Sequence, residues 1–513
     1  MLGHRFARAR GPWSAPALLA LVLSFATVIE ASPARASQGM PESVIVRAAG
    51  AEAAAHAVVS VGGVVDESLP IISGAAAHVT PAGITALDAM PSVQVTPDVA
   101  LHPTAAAFDP ATVDTQLAAV DPGAGWSPDA GKGVGVALVD TGVADTPDLH
   151  APRLVRAPDF SGEGDGIDHY GHGTFMAGLI AGDGSASSGS QPRHFGVAPG
   201  ATLVSVKVAN ADGASSLSRV IAGLGWVVAN RDLYDIGVLN LSFGLETNQP
   251  YFTNPLDAAA EAAWAAGITV VVSAGNSGNG DVTSPGDDPY VITAGSTDTM
   301  GTPGAGDDAV PVWSSREQFR GYAKPDVVAP GVSLVSLRAP GSTIDVQHPS
   351  ARVGADYFRG TGTSMSAAVV SGTVADLLEH HGDATPDDVK GALVDTAASV
   401  GRGARAIDLA AADHAVADSS WWQHFPLALD GPGHGSRNGM PWTASRWRDD
   451  TWSASRWRAS RWTASRWRVE DWTASRWRSE DWTASRWRSE DWTASRWRVL
   501  DWNADKWVSL SWG

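Results

Sequence analysis

The chain of 513 residues contains no cysteine, which excludes disulfide staples and thiolate chemistry and leaves stability to packing and ions. It has no long apolar run: the fourteen residues 15–28 span a bilayer poorly, and no other segment could cross one. Basic residues are in deficit, 36 Lys and Arg against 55 Asp and Glu, for a formal charge of -19. The deficit is uneven, because residues 441–513 hold fourteen basic and ten acidic side chains, a local +4, so the chain before them carries about -23. So acidic a body repels nucleic acid and anionic membranes, and no nucleic-acid partner is expected.

What is present divides into five segments, too much chain for one domain. Residues 1–36 read as an export signal, with His4, Arg5, Arg8 and Arg10 ahead of the apolar run and a small-x-small site at Ala34-Arg35-Ala36. The expectation is therefore a secreted protein, extracellular or associated with the cell envelope. Residues 37–107 alternate short apolar runs with an Ala-rich stretch and predict a small α+β unit. Within residues 108–413, apolar runs at 134–139, 202–208, 238–242 and 268–273 alternate with helical stretches at 172–181, 217–231 and 256–266. Continuous Val/Ile/Leu runs between helices predict an α/β fold, a parallel sheet covered on both faces, with functional groups beyond the carboxyl ends of its strands. Residues 414–441 read as a linker. Residues 442–513 are a ten-residue repeat with Trp every five positions, holding fifteen of the 22 tryptophans.

Three segments far apart supply a carboxylate, an imidazole and a hydroxyl, each flanked by small residues: Asp140 after a strand, His172 at a helix start, and Ser364 opening a helix over 364–380. Singly, each would read as a turn or cap residue. Together they form a nucleophile, its general base and the carboxylate that orients the base. Ser364 stands where helix N–H groups are unpaired and the dipole is positive, which favours an oxyanion beside it. Catalysis by such a trio needs no cofactor, and no metal-ligating set is assigned.

The blocks "VALVDTGV", "GHGTFMAG", "VLNLSFG", "VVVSAGNSG", "KPDVVAPG" and "GTGTSMSAAVVSG" occur in the order of subtilisin-like serine peptidases, and residues 130–412 resemble that family. The resemblance implies a subtilisin-like fold and a serine endopeptidase made as a zymogen, acting on protein or peptide substrates. It makes residues 37–107 a propeptide that inhibits its own enzyme, cut away between about Leu101 and Leu117. It gives Asn276 the role of oxyanion donor, with the Ser364 N–H. It makes Gly213, Ser242, Phe243 and Gly244 the backbone edges that grip an extended peptide. Leu245, in place of a second glycine, and Leu217 imply an apolar preference. Two departures stand out. Ala368-Val369 replace a common Pro-His, and Asp148 matches a calcium-site carboxylate while the loop that would complete the site reads "GDGSASSGSQPRHFG". Structural calcium is left open.

The tail has several readings: cation-π stacking, binding of cell-envelope glycan or lipid, a β-solenoid with Trp columns, or a low-complexity tail disordered in isolation. They open an alternative function, a surface or envelope binding protein in which the Trp/Arg repeat is the working part.

Overall fold

A computed structural model describes residues 40–103, 116–120, 127–189, 192–245, 247, 249–278, 280, 282–319, 321–421 and 427–428. In the tail it describes the backbone of 442–454, 457–474, 477–494, 497–504 and 507–509. The export signal, residues 104–115 of the expected maturation segment and most of the 414–441 linker lie outside these residues.

The N-terminal unit runs β1 (Glu42–Arg47), α1 (Ala51–Ser60), β2 (Val64–Leu69), β3 (Gly74–Val79), α2 (Pro81–Asp88) and β4 (Gln94–Pro97). Its antiparallel sheet has the order β2-β3-β1-β4. Period-two alternation gives the sheet two apolar faces. Val44, Val46, Ala75 and Ala77 pack with Ala54, Val58 and Leu87 of the two helices, whereas Ile45, Leu69, Ile72 and Ala76 join the core of the larger domain. The chain then continues through β5 (Ala100–Pro103) and α3 (Gln116–Val120).

The larger domain follows as β6 (Gly135–Asp140), β7 (Leu154–Arg156), α4 (His172–Ala181), β8 (Thr202–Lys207), β9 (Ser215–Ser216), α5 (Leu217–Asn230), β10 (Ile236–Leu241), β11 (Phe243–Gly244), α6 (Pro255–Ala265), β12 (Thr269–Ser273) and β13 (Ile292–Thr297). Next come β14 (Glu317–Phe319), β15 (Tyr322–Lys324), β16 (Val327–Pro330), β17 (Leu334–Leu337), α7 (Thr343–Gln347), β18 (Arg352–Val353), β19 (Tyr357–Gly360), α8 (Thr363–His380), α9 (Pro386–Asp395), β20 (Ala398–Val400), β21 (Ala404–Ala406) and α10 (Leu409–Ala415). Nine strands form one sheet, β20-β21-β16-β13-β12-β10-β6-β8-β7, parallel except at the β20–β21 edge. Burial on both faces explains the unbroken apolar runs: every residue of β6, β12 and β13 is buried. Helix α4 is buried throughout, as is α8 from Thr363 to Leu377.

Ordered structure continues past residue 413. Helix α10 runs to Ala415, and Trp421 donates its backbone N–H to Asp387 O at 3.0 Å. The stretch read as a linker is thus partly domain, because Trp421 supplies an apolar ring to a buried lysine.

In the tail, β22 (Trp442–Ala454), β23 (Trp457–Ala474), β24 (Trp477–Ala494), β25 (Trp497–Ala504) and β26 (Trp507–Ser509) pair in parallel. Partners are twenty residues apart, Trp442 beside Trp462, Trp482 and Trp502. Two ten-residue repeats therefore make one step of a solenoid register.

Candidate active site

Asp140 is the last residue of β6 and His172 the first of α4, and both are buried. The imidazole Nδ1 lies 2.9 Å from Asp140 Oδ1 and 3.0 Å from Oδ2. Facing two carboxylate oxygens, Nδ1 carries the proton and Nε2 the lone pair. That Nε2 is buried and has no hydrogen-bond partner among the described residues. The approach of α4 to β6 depends on Gly173, where an added methyl would sit 2.1 Å from Gly142 O.

A residue that the sequence reading missed holds this geometry. Asp168, 4% exposed, accepts five hydrogen bonds. They come from Thr141 Oγ1 (2.8 Å), Tyr170 N (3.1 Å), Gly171 N (2.7 Å), Thr174 N (2.8 Å) and Thr174 Oγ1 (2.6 Å). Thr141 in turn accepts from Gly173 N at 2.8 Å, and its own N–H donates to Asp140 Oδ1 at 2.8 Å. One carboxylate thus ties the end of the Asp140 strand to the first turn of the His172 helix. Burial pushes its carboxyl upward in pKa, and the Thr174, Gly171 and Thr141 donors oppose that. The only hint in the sequence is an Asp four residues ahead of the helix start.

Ser364 is the second residue of α8 and is fully buried. The turn before it is pinned by Asn276, whose Oδ1 accepts from Thr363 N at 3.0 Å and from Thr363 Oγ1 at 3.1 Å. With its oxygen so engaged, the amide Nδ2 of Asn276 is buried and has no partner among the described residues. A free donor therefore stands at the turn that carries the hydroxyl, and a free acceptor on His172.

Beside these groups, β5 lies antiparallel between two edges. Leu101 and Ala100 pair with Ser215 and Ser216 on one side, and Pro103 and His102 pair with Phe243 and Gly244 on the other. The sequence-predicted residues Phe243 and Gly244 are in this edge. Ser242 adjoins it, with its Oγ 3.5 Å from Ser364 O. Gly213 is not paired with β5: it lies in the turn before the opposite edge, at φ +75°, and an added Cβ would meet the Tyr170 ring at 2.7 Å. The edge forms two residues later because Asn210 closes that turn, accepting from Gly213 N and donating to Ala214 O. Leu101 and Leu217 are both fully buried and share one apolar cluster. Leu245 pairs with Ser284 behind the Phe243 edge.

Under that wall is a buried acid group. Ser284 Oγ donates to Asp257 Oδ2 at 2.8 Å, and burial pushes Asp288 up to about 7 and Asp287 up to about 6. The nearby cation Lys390 donates to the carbonyls of Pro289 and Val291 at 2.8 Å and of Tyr290 at 3.2 Å.

Asp148, matched to a calcium-site carboxylate, is buried. Asp148 Oδ1 accepts from Ala186 N at 2.7 Å, and Oδ2 accepts from Gly184 N at 2.9 Å and Tyr357 Oη at 3.3 Å. Two of these three donors, the N–H groups of Gly184 and Ala186, belong to the replacement loop.

A parallel α/β sheet with a carboxylate–imidazole pair at one strand end and a serine at the start of a buried helix defines a protein of the subtilisin-like fold. Residues 131–419 match the model of the subtilase family. The chain belongs to that family. It is 41% identical over 268 residues to serine protease AprX of Bacillus subtilis (strain 168), a match covering 51% of this chain and 60% of AprX. It is 33% identical over 272 residues to subtilisin Savinase of Lederbergia lenta, covering 53% of this chain and 86% of Savinase. Among solved structures it resembles fervidolysin of Fervidobacterium pennivorans, described as a keratinolytic enzyme related to subtilisin, with a TM-score of 0.57, 24% identity, and coverage of 73% of this chain and 61% of that one.

Proposed function

We propose that the chain is a secreted serine endopeptidase made as a zymogen, with residues 42–103 as its own inhibitor. The observation that carries this reading is β5, an extended segment gripped antiparallel by two edges, one of which follows Ser242, whose Oγ lies 3.5 Å from Ser364 O. Backbone pairing of this kind recognises any extended peptide, so the wall residues set selectivity. Buried Leu101 supports an apolar preference for the substrate residue that takes its place.

In the reaction, His172 Nε2 takes the Ser364 hydroxyl proton as Oγ bonds to the substrate carbonyl carbon. Asp140 stays ionised at Nδ1–H and stabilises the imidazolium. The oxyanion is received by Asn276 Nδ2 and the Ser364 N–H. As the C–N bond breaks, the imidazolium gives its proton to the leaving amine, and water then hydrolyses the acyl-enzyme by the same steps. Pro103 pairs with Phe243, one residue short of Ser242, so the first bonds after Pro103 are the ones expected to be cut.

The test is a matured sample exposed to a serine-directed fluorophosphonate and sequenced from its N terminus. We expect labelling of Ser364, a new N terminus within 104–117, and an uncut chain for Ser364→Ala. Unlabelled matured protein would remove the peptidase reading. A Ser364→Ala chain that is still cut would remove self-processing.

A further inference from the structure

The segment after α10 returns to the body of the protein at a junction that the proposed reaction does not use. Trp421 is held by Asp387 O, and its ring lies 5.2 Å from Lys390 Nζ. Seven residues on, Ala428 is fully buried. Its N–H donates to Glu261 Oε1 on α6 at 2.9 Å, and its carbonyl accepts from Arg47 Nη2 on β1 at 2.8 Å. Arg47 also donates from Nε to Ile72 O at 3.1 Å, and Arg47 and Glu261 are each 2% exposed. Ala428 belongs to the apolar cluster that joins Ile45, Leu69 and Ile72 of the N-terminal unit to Leu256, Ala260 and Trp264 of α6.

A guanidinium and a carboxylate are costly to bury unless hydrogen bonds replace their water. Here the backbone of one residue serves both, Ala428 giving its N–H to the acid and its carbonyl to the base. These contacts use backbone atoms, and full burial demands a small side chain, which alanine provides. Half of the site belongs to the N-terminal unit and half to the peptidase domain.

We infer that the N-terminal unit and α6 together form a docking site for the segment ending at Ala428, and that loss of the N-terminal unit releases it. The inference rests on the zymogen reading for the second half only. Without Arg47 and the cover of β1, the Ala428 carbonyl loses its partner, the Ile45, Leu69 and Ile72 side of its apolar cluster is gone, and the hydrogen bond to Glu261 opens to water. The coupling is reciprocal: an engaged segment strengthens the hold of the inhibitor on the enzyme.

Hydrogen exchange at the Ala428 amide in the full chain tests this. In Ser364→Ala, which keeps the N-terminal unit, we expect exchange at least about a hundredfold slower than in matured wild type. Arg47→Gln added to Ser364→Ala should speed it about tenfold or more, while the amides of β6 keep their protection. If Arg47→Gln fails to fold, seen as lost β6 protection, Ala428→Pro removes the other contact of the same residue, its N–H to Glu261, from the linker side. It should then weaken the hold of the cut N-terminal unit in a wild-type background, seen as faster onset of activity. Equal protection of Ala428 after the N-terminal unit has gone, or none in Ser364→Ala, would overturn the inference. If sequencing shows that wild type never loses the N-terminal unit, the zymogen reading fails, and the Arg47→Gln arm still decides the docking site.

Discussion

At the N-terminal end of α4 the buried carboxylate of Asp140 faces an imidazole whose far nitrogen is free. Near its C-terminal end, where Gly184 follows the helix, the buried carboxylate of Asp148 is ringed by N–H and O–H groups. The two sites have similar burial and opposite accounts of their hydrogen bonds. At Asp148 three donors meet the two oxygens, and the carboxylate ties the loop after α4 to Tyr357. At Asn276 Nδ2 and His172 Nε2 a buried donor and a buried acceptor are left over among the described residues, as the proposed reaction requires.

This contrast can be pressed with substitutions. The largest effect is expected for Ser364→Ala, which should lower kcat by at least about a thousandfold with the fold intact, read by peptide hydrolysis. Asn276→Ala should lower kcat with little change in KM. In subtilisin itself loss of this kind of amide costs roughly 10²–10³, and that magnitude is borrowed from there. At the other end of α4, Asp148→Ala should destabilise by about 2–3 kcal/mol in chemical denaturation, through unmet Gly184 and Ala186 N–H groups, and leave kcat/KM within about twofold. A large loss of kcat/KM there would erase the distinction between the two ends.

Asp168→Asn lies between the two classes. It keeps one acceptor but turns an N–H₂ toward the Thr174 donors, so kcat and fluorophosphonate labelling should fall together by about tenfold at unchanged KM. The smallest effect is expected at Asp288. Its folded pKa, about 7, lies above the usual carboxylate value, so its contribution to stability is intact below about pH 4 and is lost as pH rises through 7. Asp288→Asn should therefore raise Tm at pH 8 by about 5 °C and leave it unchanged at pH 4, as scanning calorimetry would show.

Much of this was visible in the chain before folding. Residues 172–181 were read as a helix with the bounds it has, because Gly171 and Gly182 punctuate it. The sheet strands shifted by only one or two residues, since buried apolar runs mark parallel strands directly. Asp168 was not legible, because its role comes from N–H groups that converge only when two segments meet. The segment Asp212–Ser215 is legible as an edge, but that pairing with β5 begins at Ser215 is not, since turn closure at Asn210 decides where it starts. Ala428 is a plain alanine in a Gly- and Pro-rich stretch, and only the meeting of β1 and α6 gives it partners. In the tail the five-residue step was plain, but the twenty-residue pairing depends on strand length, which a uniform repeat does not encode.

The strand β5, gripped by the Ser215 and Phe243 edges, is joined to the chain that grips it, with α3 beginning thirteen residues after Pro103. Its pairing is consequently indifferent to dilution. On the proposed reading a scission made there is first order, and its half-time should stay constant across a thousandfold range of protein concentration until severed strands begin to exchange between molecules.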